Sequence, residues 1–317
     1  MLILAWEVTA ACNLCCSYCR AAAGALPDKD ELTLDEARRL IDEASPLRPM
    51  LILSGGEPLM RPDVFDIVDY AISRDLRVSL ATNGTLLTPD LVSRIKESGV
   101  SRVSISLDGP TPETHDVIRG QECYQRSLRG MELLRGQVDF QINVTVTRRN
   151  QDDVVPMLDL AERQGACALH FFFLVPTGRG KERDIISPEK QEELLKLIKD
   201  ESSKRSIEIR VTCAPQYARM GGGGGCLAGR SFAFISRRGE VFPCGYMPVL
   251  AGNIREKSFA EIWEDSPVFI ALRDRKLKGS CGSCRYRVAC GGCRARAYAE
   301  SGDFLNQDPL CQEASCG

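Results

Sequence analysis

Three cysteines stand at the spacing C-x3-C-x2-C, Cys12, Cys16 and Cys19, directly after the apolar run LILAWEV. A loop of that spacing can bring three thiolates to one metal centre, and iron–sulfur clusters are held by cysteine thiolates, usually four to a cluster. Three protein ligands leave one iron open. An open position marks a metal that does chemistry, by the reasoning that separates catalytic from structural zinc. Zinc is the competing reading; it needs a fourth ligand, and the two histidines of the chain, His115 and His170, are far from the triad in sequence. Cys15 is out of register and reads as a spare thiol.

A second group fills the C-terminal part: Cys226 and Cys244, then C-x2-C-x5-C-x2-C from Cys281 through Cys284 and Cys290 to Cys293, then Cys311. Paired C-x2-C knuckles also occur in zinc ribbons, so zinc stays open here, although x5 is a short separation for a ribbon. Cys123 and Cys167 stand alone, where cysteine behaves as a small apolar residue, and Cys316 reads as a free thiol.

Apolar or alternating runs at 2–9, 50–56, 77–83, 102–108, 140–147 and 168–175 predict six strands. Between them lie helical patterns. Thr33 and Glu36 form a capping box ahead of Ala37, Leu40, Ile41 and Ala44, and Thr88-Pro89 opens a helix that Gly99 ends. Further helices are predicted at 62–74, 124–135, 151–164 and 187–201. Strands alternating with helices give an α/β fold with a parallel sheet, and six such units suit a partial barrel. The motif-bearing segments then follow the strands: the Cys12–Cys19 loop, Gly55-Gly56-Glu57-Pro58, Thr82-Asn83-Gly84, Ser106-Leu107-Asp108-Gly109, Arg148-Arg149-Asn150 and Thr177-Gly178-Arg179-Gly180. Parallel barrels carry their active sites at that rim. Phe232–Ser236 and Glu240–Pro243 predict a hairpin. The run Gly221 to Gly225 reads as a flexible connector near the start of a smaller domain, dividing the chain into 1–213 and 214–317.

The 317 residues, 44% of them hydrophobic, can fill a substantial core. A formal charge of -2 without a long basic run argues against nucleic acid as a partner, and no apolar run approaches the length that spans a bilayer. With no export leader evident, the cytoplasm is the expected location. Fifteen cysteines in a reducing compartment are better metal ligands than disulfides.

The triad with Tyr18 before its last cysteine, followed by Gly-Gly-Glu-Pro at a strand end, resembles the radical S-adenosylmethionine (SAM) superfamily. That resemblance implies a partial six-stranded (βα) barrel holding a 4Fe-4S cluster. Its open iron would be chelated by SAM, whose cleavage yields a 5'-deoxyadenosyl radical. It places Tyr18 by the adenine, Gly55, Gly56 and Glu57 at the methionine amino group, and Ser106, Asp108 and Arg119 at the ribose and carboxylate. The C-terminal cysteines resemble the SPASM extension of such enzymes, which carries auxiliary 4Fe-4S clusters. By that likeness Cys226, Cys244 and Cys293 hold the first, with either Cys213 as its natural fourth ligand or an iron left open to substrate, and Cys281, Cys284, Cys290 and Cys311 the second.

Within that group, segments such as HFFFLVPTGRGKE and CGGCRARAYAESGDFLNQDPLC are similar to enzymes that remodel tetrapyrrole side chains in the siroheme-dependent heme pathway. The likeness implies removal of two acetate groups from 12,18-didecarboxysiroheme, giving iron-coproporphyrin III. Related heme d1 and heme-synthase chemistry, or peptide maturation, are the alternatives. The implied partners are the tetrapyrrole and a low-potential electron donor such as ferredoxin or flavodoxin. Phe171 to Phe173 could line the pocket, and Arg179, Lys181, Arg183, Arg294 and Arg296 could pair with substrate carboxylates.

Overall fold

The computed structural model describes residues 1–312, so Cys316 lies outside the described residues. The six expected strands all form: β1 (Ile3–Glu7), β2 (Met50–Ser54), β3 (Arg77–Thr82), β4 (Arg102–Ser106), β5 (Phe140–Val146) and β6 (Ala168–Phe173). They pair in chain order, all parallel. Alternate residues on one face, among them Leu4, Trp6, Leu53, Leu80, Ile105, Ile142 and Phe171, are fully buried in the core beneath the helices. Each such side chain contributes about 1.5–3 kcal/mol. The other face is polar: Ser79, Ser104, Ser106, Gln141, Asn143, Thr145 and His170 follow one another across β3 to β6. A sheet that buries one face and keeps the other polar has room for a polar substrate on the inside of its curve.

The covering helices are α1 (Leu34–Ala44), α2 (Val64–Ser73), α3 (Pro89–Glu97), α4 (Pro112–Arg119), α5 (Cys123–Leu134), α6 (Val154–Gln164) and α7 (Pro188–Ser202). The capping box of Thr33 and Glu36 is present, and Thr88 caps α3 through the Leu91 N–H. Before residue 214, one helix and one strand go beyond the sequence expectations. Helix α4 is one; its signals, Pro112 at the start and Gly120 at the end, flank only eight residues. The other is β7 (Glu208–Thr212), a seventh parallel strand at the sheet edge, where charged Glu208 and Arg210 alternate with Ile209 and Val211, charge being common on edge strands.

The expected hairpin forms as β8 (Phe232–Ile235) and β9 (Glu240–Phe242), with β10 (Gly252–Asn253) beyond it. Strand β8 lies parallel to β1, so one sheet of ten strands runs from β10 to β7. Helices α8 (Phe259–Asp265), α9 (Pro267–Asp274), α10 (Gly279–Ser283) and α11 (Arg294–Ser301) complete the region. The reading of Gly221 to Gly225 as a free connector needs correction. A Cβ on Gly222 would lie 2.2 Å from the Tyr217 ring, and one on Gly225 2.0 Å from the Ala289 carbonyl oxygen. At least these two glycines are there because the backbone packs too closely for any side chain.

Candidate active site

The loop after β1 folds back on itself: the Cys12 N–H donates to the Gly24 carbonyl at 2.7 Å, and the Gly24 N–H to that of Ala10 at 3.3 Å. This wraps Cys12, Cys16 and Cys19 around one place, while Cys15 points outward and is exposed. Burial pushes the Cys12 thiol up to about 11, and the charges of Glu57, Cys16 and Cys19 push the same way. Burial raises Cys16 too, with Arg119 opposing it. Thiols held this close and this dry become thiolates only when a strong cation neutralises them. Among the described residues, no group of three or more His, Cys, Asp or Glu side chains closes on a single ion. The charges of Cys16 and Cys19 both act on Cys12, so the three sulfurs are near neighbours, and three thiols from one loop fit a 4Fe-4S group with one iron left open.

The β2 loop lies directly beneath. Gly56 and Glu57 donate their N–H groups to the carbonyls of Thr9 and Ala11 at 2.8 and 2.7 Å. A Cβ on Gly56 would stand 2.3 Å from the Ala11 carbonyl oxygen, so glycine is required for the two loops to touch. The Glu57 carboxylate is fully buried and engaged by its own chain: Oε1 accepts from Thr82 Oγ1 at 2.7 Å, and Oε2 from the Asn83 N–H at 2.8 Å. Its side chain therefore locks the β2 and β3 loops together. Asn83 extends the lock through its Nδ2 to Asn13 in the cysteine loop, at 2.9 Å.

Tyr18, Asp108 and Arg119 come from three segments and meet. Arg119 Nε donates to Asp108 Oδ2 at 2.5 Å, its Nη2 to the Tyr18 hydroxyl at 2.7 Å, and its Nη1 reaches Cys16 Sγ at 3.9 Å. The Tyr18 hydroxyl donates to the same Asp108 oxygen, and the Thr145 N–H donates to the other at 2.8 Å. Asp108 thus acts through Arg119 and Tyr18. Asn150 closes the network by donating to the Asp108 carbonyl at 2.7 Å, and His115 Nδ1 accepts from the Asp108 N–H at 3.0 Å. Ser106 ends β4 on the polar face, half-buried, beside Asn143 of β5. The roles of Thr82, Asn83, His115 and Asn150 escaped the sequence, although two of their segments stood among the rim motifs.

Arg179 is engaged first by the cysteine loop. Its Nε and Nη1 donate to the carbonyls of Cys16 and Ala23, both at 2.9 Å, and its own N–H to that of Cys19. It clamps the cysteine loop through Nε and Nη1, while its buried Nη2 meets no acceptor among the described residues. Arg294 and Arg296 are turned inward as well. Arg294 is held by the carbonyls of Gly292, Phe304 and Asn306, and Arg296 pairs with the buried Asp308 at 2.9 Å. Phe171 and Phe173 are core residues, and only Phe172 stands on the polar face.

In the C-terminal region the thiols sort into two sets. Cys213 donates to Cys293, and Cys244 feels the charges of Cys226 and Cys293; burial raises Cys226, and raises Cys244 to about 12. The hydrogen bond from Cys213 lowers Cys293 to about 7. Cys213 therefore joins Cys226, Cys244 and Cys293 as a complete set of four. Cys290 and Cys311 are neighbours in the second set, and burial pushes Cys290 up to about 12. Backbone N–H groups point at the sulfurs of Cys281, Cys284 and Cys290 at 3.3–3.4 Å, and Arg294 Nη2 lies 3.6 Å from Cys281. Hydrogen bonds to sulfur are a feature of cluster sites, where they tune potential.

A partial parallel barrel with an open three-thiol loop at its rim and two further thiol sets beside it defines a SAM-cleaving iron–sulfur enzyme. The chain belongs to the radical SAM superfamily. The model of that superfamily matches residues 6–161, and that of an iron–sulfur cluster-binding domain, SPASM, matches 226–285. The chain is 48% identical to a protein of Methanosarcina barkeri named AdoMet-dependent heme synthase, over 98% of this chain and 95% of that one. It is 33% identical to a mycofactocin maturase of Mycolicibacterium smegmatis over 98% and 83%, and 29% identical to an M. barkeri protein named Fe-coproporphyrin III synthase over 98% and 87%. The fold is shared with Streptococcus suis SuiB bound to S-adenosylmethionine, at a TM-score of 0.81 and 18% identity, covering 98% of this chain and 77% of that one. The enzyme thus uses SAM and 4Fe-4S clusters. No helix among the described residues is long and apolar enough to cross a membrane.

Proposed function

We propose that this enzyme removes side-chain carbon from a carboxylate-bearing iron porphyrinoid in heme biosynthesis. The observation that carries the reading is the contrast between two relatives from one organism, both aligned over 98% of the chain: 48% identity to the heme synthase against 29% to the Fe-coproporphyrin III synthase. The contrast favours the heme-forming reaction. Acetate removal from 12,18-didecarboxysiroheme is the other arm of the test. Heme bears vinyl groups where iron-coproporphyrin III bears two of its propionates. Each propionate-to-vinyl conversion therefore gives up one CO2, one hydrogen atom, which the 5'-deoxyadenosyl radical would take, and one electron, for which an auxiliary cluster would be the acceptor.

Bound to Cys12, Cys16 and Cys19, a 4Fe-4S cluster with SAM would supply the hydrogen-atom abstraction. The protein's part is positional. Arg179, Gly55 and Gly56 fix the cysteine loop on β2, Arg119 brings a buried positive charge beside Cys16, and Tyr18 fixes the Arg119 head. Backbone atoms of Gly55 and Gly56 would meet the methionine amino group, and Ser106 the ribose. Residues 1–213 would thus hold the catalytic cluster. Residues 214–317, with Cys213, would hold two auxiliary clusters, and a ferredoxin- or flavodoxin-type donor would supply electrons.

The test is an anaerobic turnover of reconstituted enzyme with SAM and dithionite. Iron-coproporphyrin III should give heme and CO2. Conversion of didecarboxysiroheme to iron-coproporphyrin III with acetate would select the deacetylase reaction instead. No spectral change with either tetrapyrrole, with activity on a leader-bearing peptide, would replace both by a maturase.

A further inference from the structure

Across the polar face, one rung of the sheet places Asn143 of β5 beside His170 of β6, and His170 beside Arg210 of β7. Two residues along β5 from Asn143, and on the same face, Gln141 accepts from Arg102 Nη1 on its Oε1 at 3.2 Å, and Arg102 pairs with Glu208 at 3.3 Å. The guanidinium fixes which way the amide points, because only the oxygen can accept from it. The Gln141 nitrogen therefore faces the other side, where it donates to Asn143 Oδ1 at 2.9 Å and lies 3.3 Å from His170 Nδ1. An amide nitrogen does not accept, so Nδ1 does. Burial lowers the His170 pKa to about 4, which keeps the ring neutral, and a neutral ring accepting at Nδ1 carries its hydrogen on Nε2.

That Nε2–H is buried and meets no acceptor among the described residues. With the Asn143 oxygen taken by Gln141, the free capacity of that side chain is its Nδ2 hydrogens, for which no acceptor stands among the described residues either. Two unfilled donors sit on adjacent strands, beside two guanidinium groups that share the single carboxylate of Glu208. Unfilled donors in a positive setting, one of them fully buried, call for an anionic acceptor. We propose that His170 Nε2 and Asn143 Nδ2 together bind a carboxylate of the substrate, which on the tetrapyrrole reading above is a propionate at an edge of the macrocycle not undergoing reaction. The tautomer also argues against His170 as an axial ligand to the substrate iron, which would need a bare Nε2.

The experiment is an anaerobic titration of cluster-loaded wild type, His170→Ala, His170→Gln and Asn143→Leu with iron-coproporphyrin III and with metal-free coproporphyrin III. Iron and sulfide content equal to wild type verifies that each variant has folded. Losing one charge-assisted hydrogen bond should raise Kd at least tenfold for both porphyrins in His170→Ala and Asn143→Leu. His170→Gln, which restores a donor, should recover part of the loss. Unchanged Kd values in both loss variants, or a loss confined to the iron form, would overturn the assignment while leaving the tetrapyrrole reading standing. Failure of wild type to bind either porphyrin would remove both.

Discussion

At the scale of single residues, the site depends on charges that are buried and paired. Asp108 has no exposed surface, and it is the common partner of Arg119, Tyr18 and the Thr145 N–H. Asp108→Asn would leave the Arg119 guanidinium buried without its counter-charge, a change that costs about 3–5 kcal/mol when a buried pair loses one member. Denaturant unfolding of the variant should show that loss, and SAM binding should weaken with it because Arg119 and Tyr18 lose their anchor. The two histidines make a separate statement about pH. Burial lowers His115 and His170 to about 4 from an ordinary 6.5. Between those values the unfolded chain takes up protons that the folded chain refuses, so stability should fall as pH falls from about 6.5 to about 4, and these groups should have no effect above about 7.5. His115→Gln should flatten part of that slope in unfolding curves measured across the range. An unchanged slope would show that the acid sensitivity lies elsewhere.

At the scale of elements, the cysteine loop after β1 and the glycine turn after β2 act as one unit. Gly56→Ala would drive a methyl group into the Ala11 carbonyl, one residue before Cys12. It should displace the triad and spare the C-terminal thiols. With four irons per cluster, iron content should drop from roughly 12 to roughly 8 per chain; a variant retaining the full complement would separate the turn from the cluster. Both elements were legible in the sequence because each announces itself locally, the loop by thiol spacing and the turn by Gly-Gly-Glu-Pro after an apolar run. The capping box at Thr33 and the six strands were legible for the same reason. What escaped depends on partners far along the chain. Nothing near Arg179 says that it will clamp Cys16, 163 positions away, and nothing near Glu57 says that it will accept from Asn83. Arg294 and Arg296 look like a basic patch beside Cys293, yet Asp308 and a set of carbonyls claim them. Strand β7 was missed although Glu-Ile-Arg-Val-Thr alternates polar and apolar residues, because two of its five residues are charged and it lacks the apolar richness of the six other runs.

At the scale of the whole molecule, the catalytic and auxiliary regions do not form separate cores. Strand β8 adds to the free side of β1 in register, Ile3 with Phe232 through Trp6 with Ile235. Ala233, Ile235, Val241, Phe259, Ile262 and Trp263 belong to the same buried cluster as Leu4, Trp6, Leu40 and Ile41. Ionic contacts run across the same join. Glu7, at the end of β1 and almost fully buried, pairs with Arg20 beside Cys19 at 2.7 Å and with Arg237 in the β8–β9 turn. Arg20 also stacks on Phe234 and donates to the carbonyl of Gly245, next to Cys244. The catalytic loop and the first auxiliary thiol set are thus joined through one guanidinium and one strand pair. A chain cut after Cys213 would expose the edge of β1, uncover the apolar side of α1 where α8 packs, and leave Glu7 buried with one of its two partners gone. Exposing an unpaired strand edge together with several large side chains, each contributing about 1.5–3 kcal/mol when buried, exceeds the margin by which most domains are stable. Residues 1–213 alone should therefore aggregate, and the full chain should unfold in a single transition by circular dichroism and intrinsic fluorescence together. A soluble fragment that still loads the catalytic cluster would show that the shared sheet is an attachment and not a condition for folding.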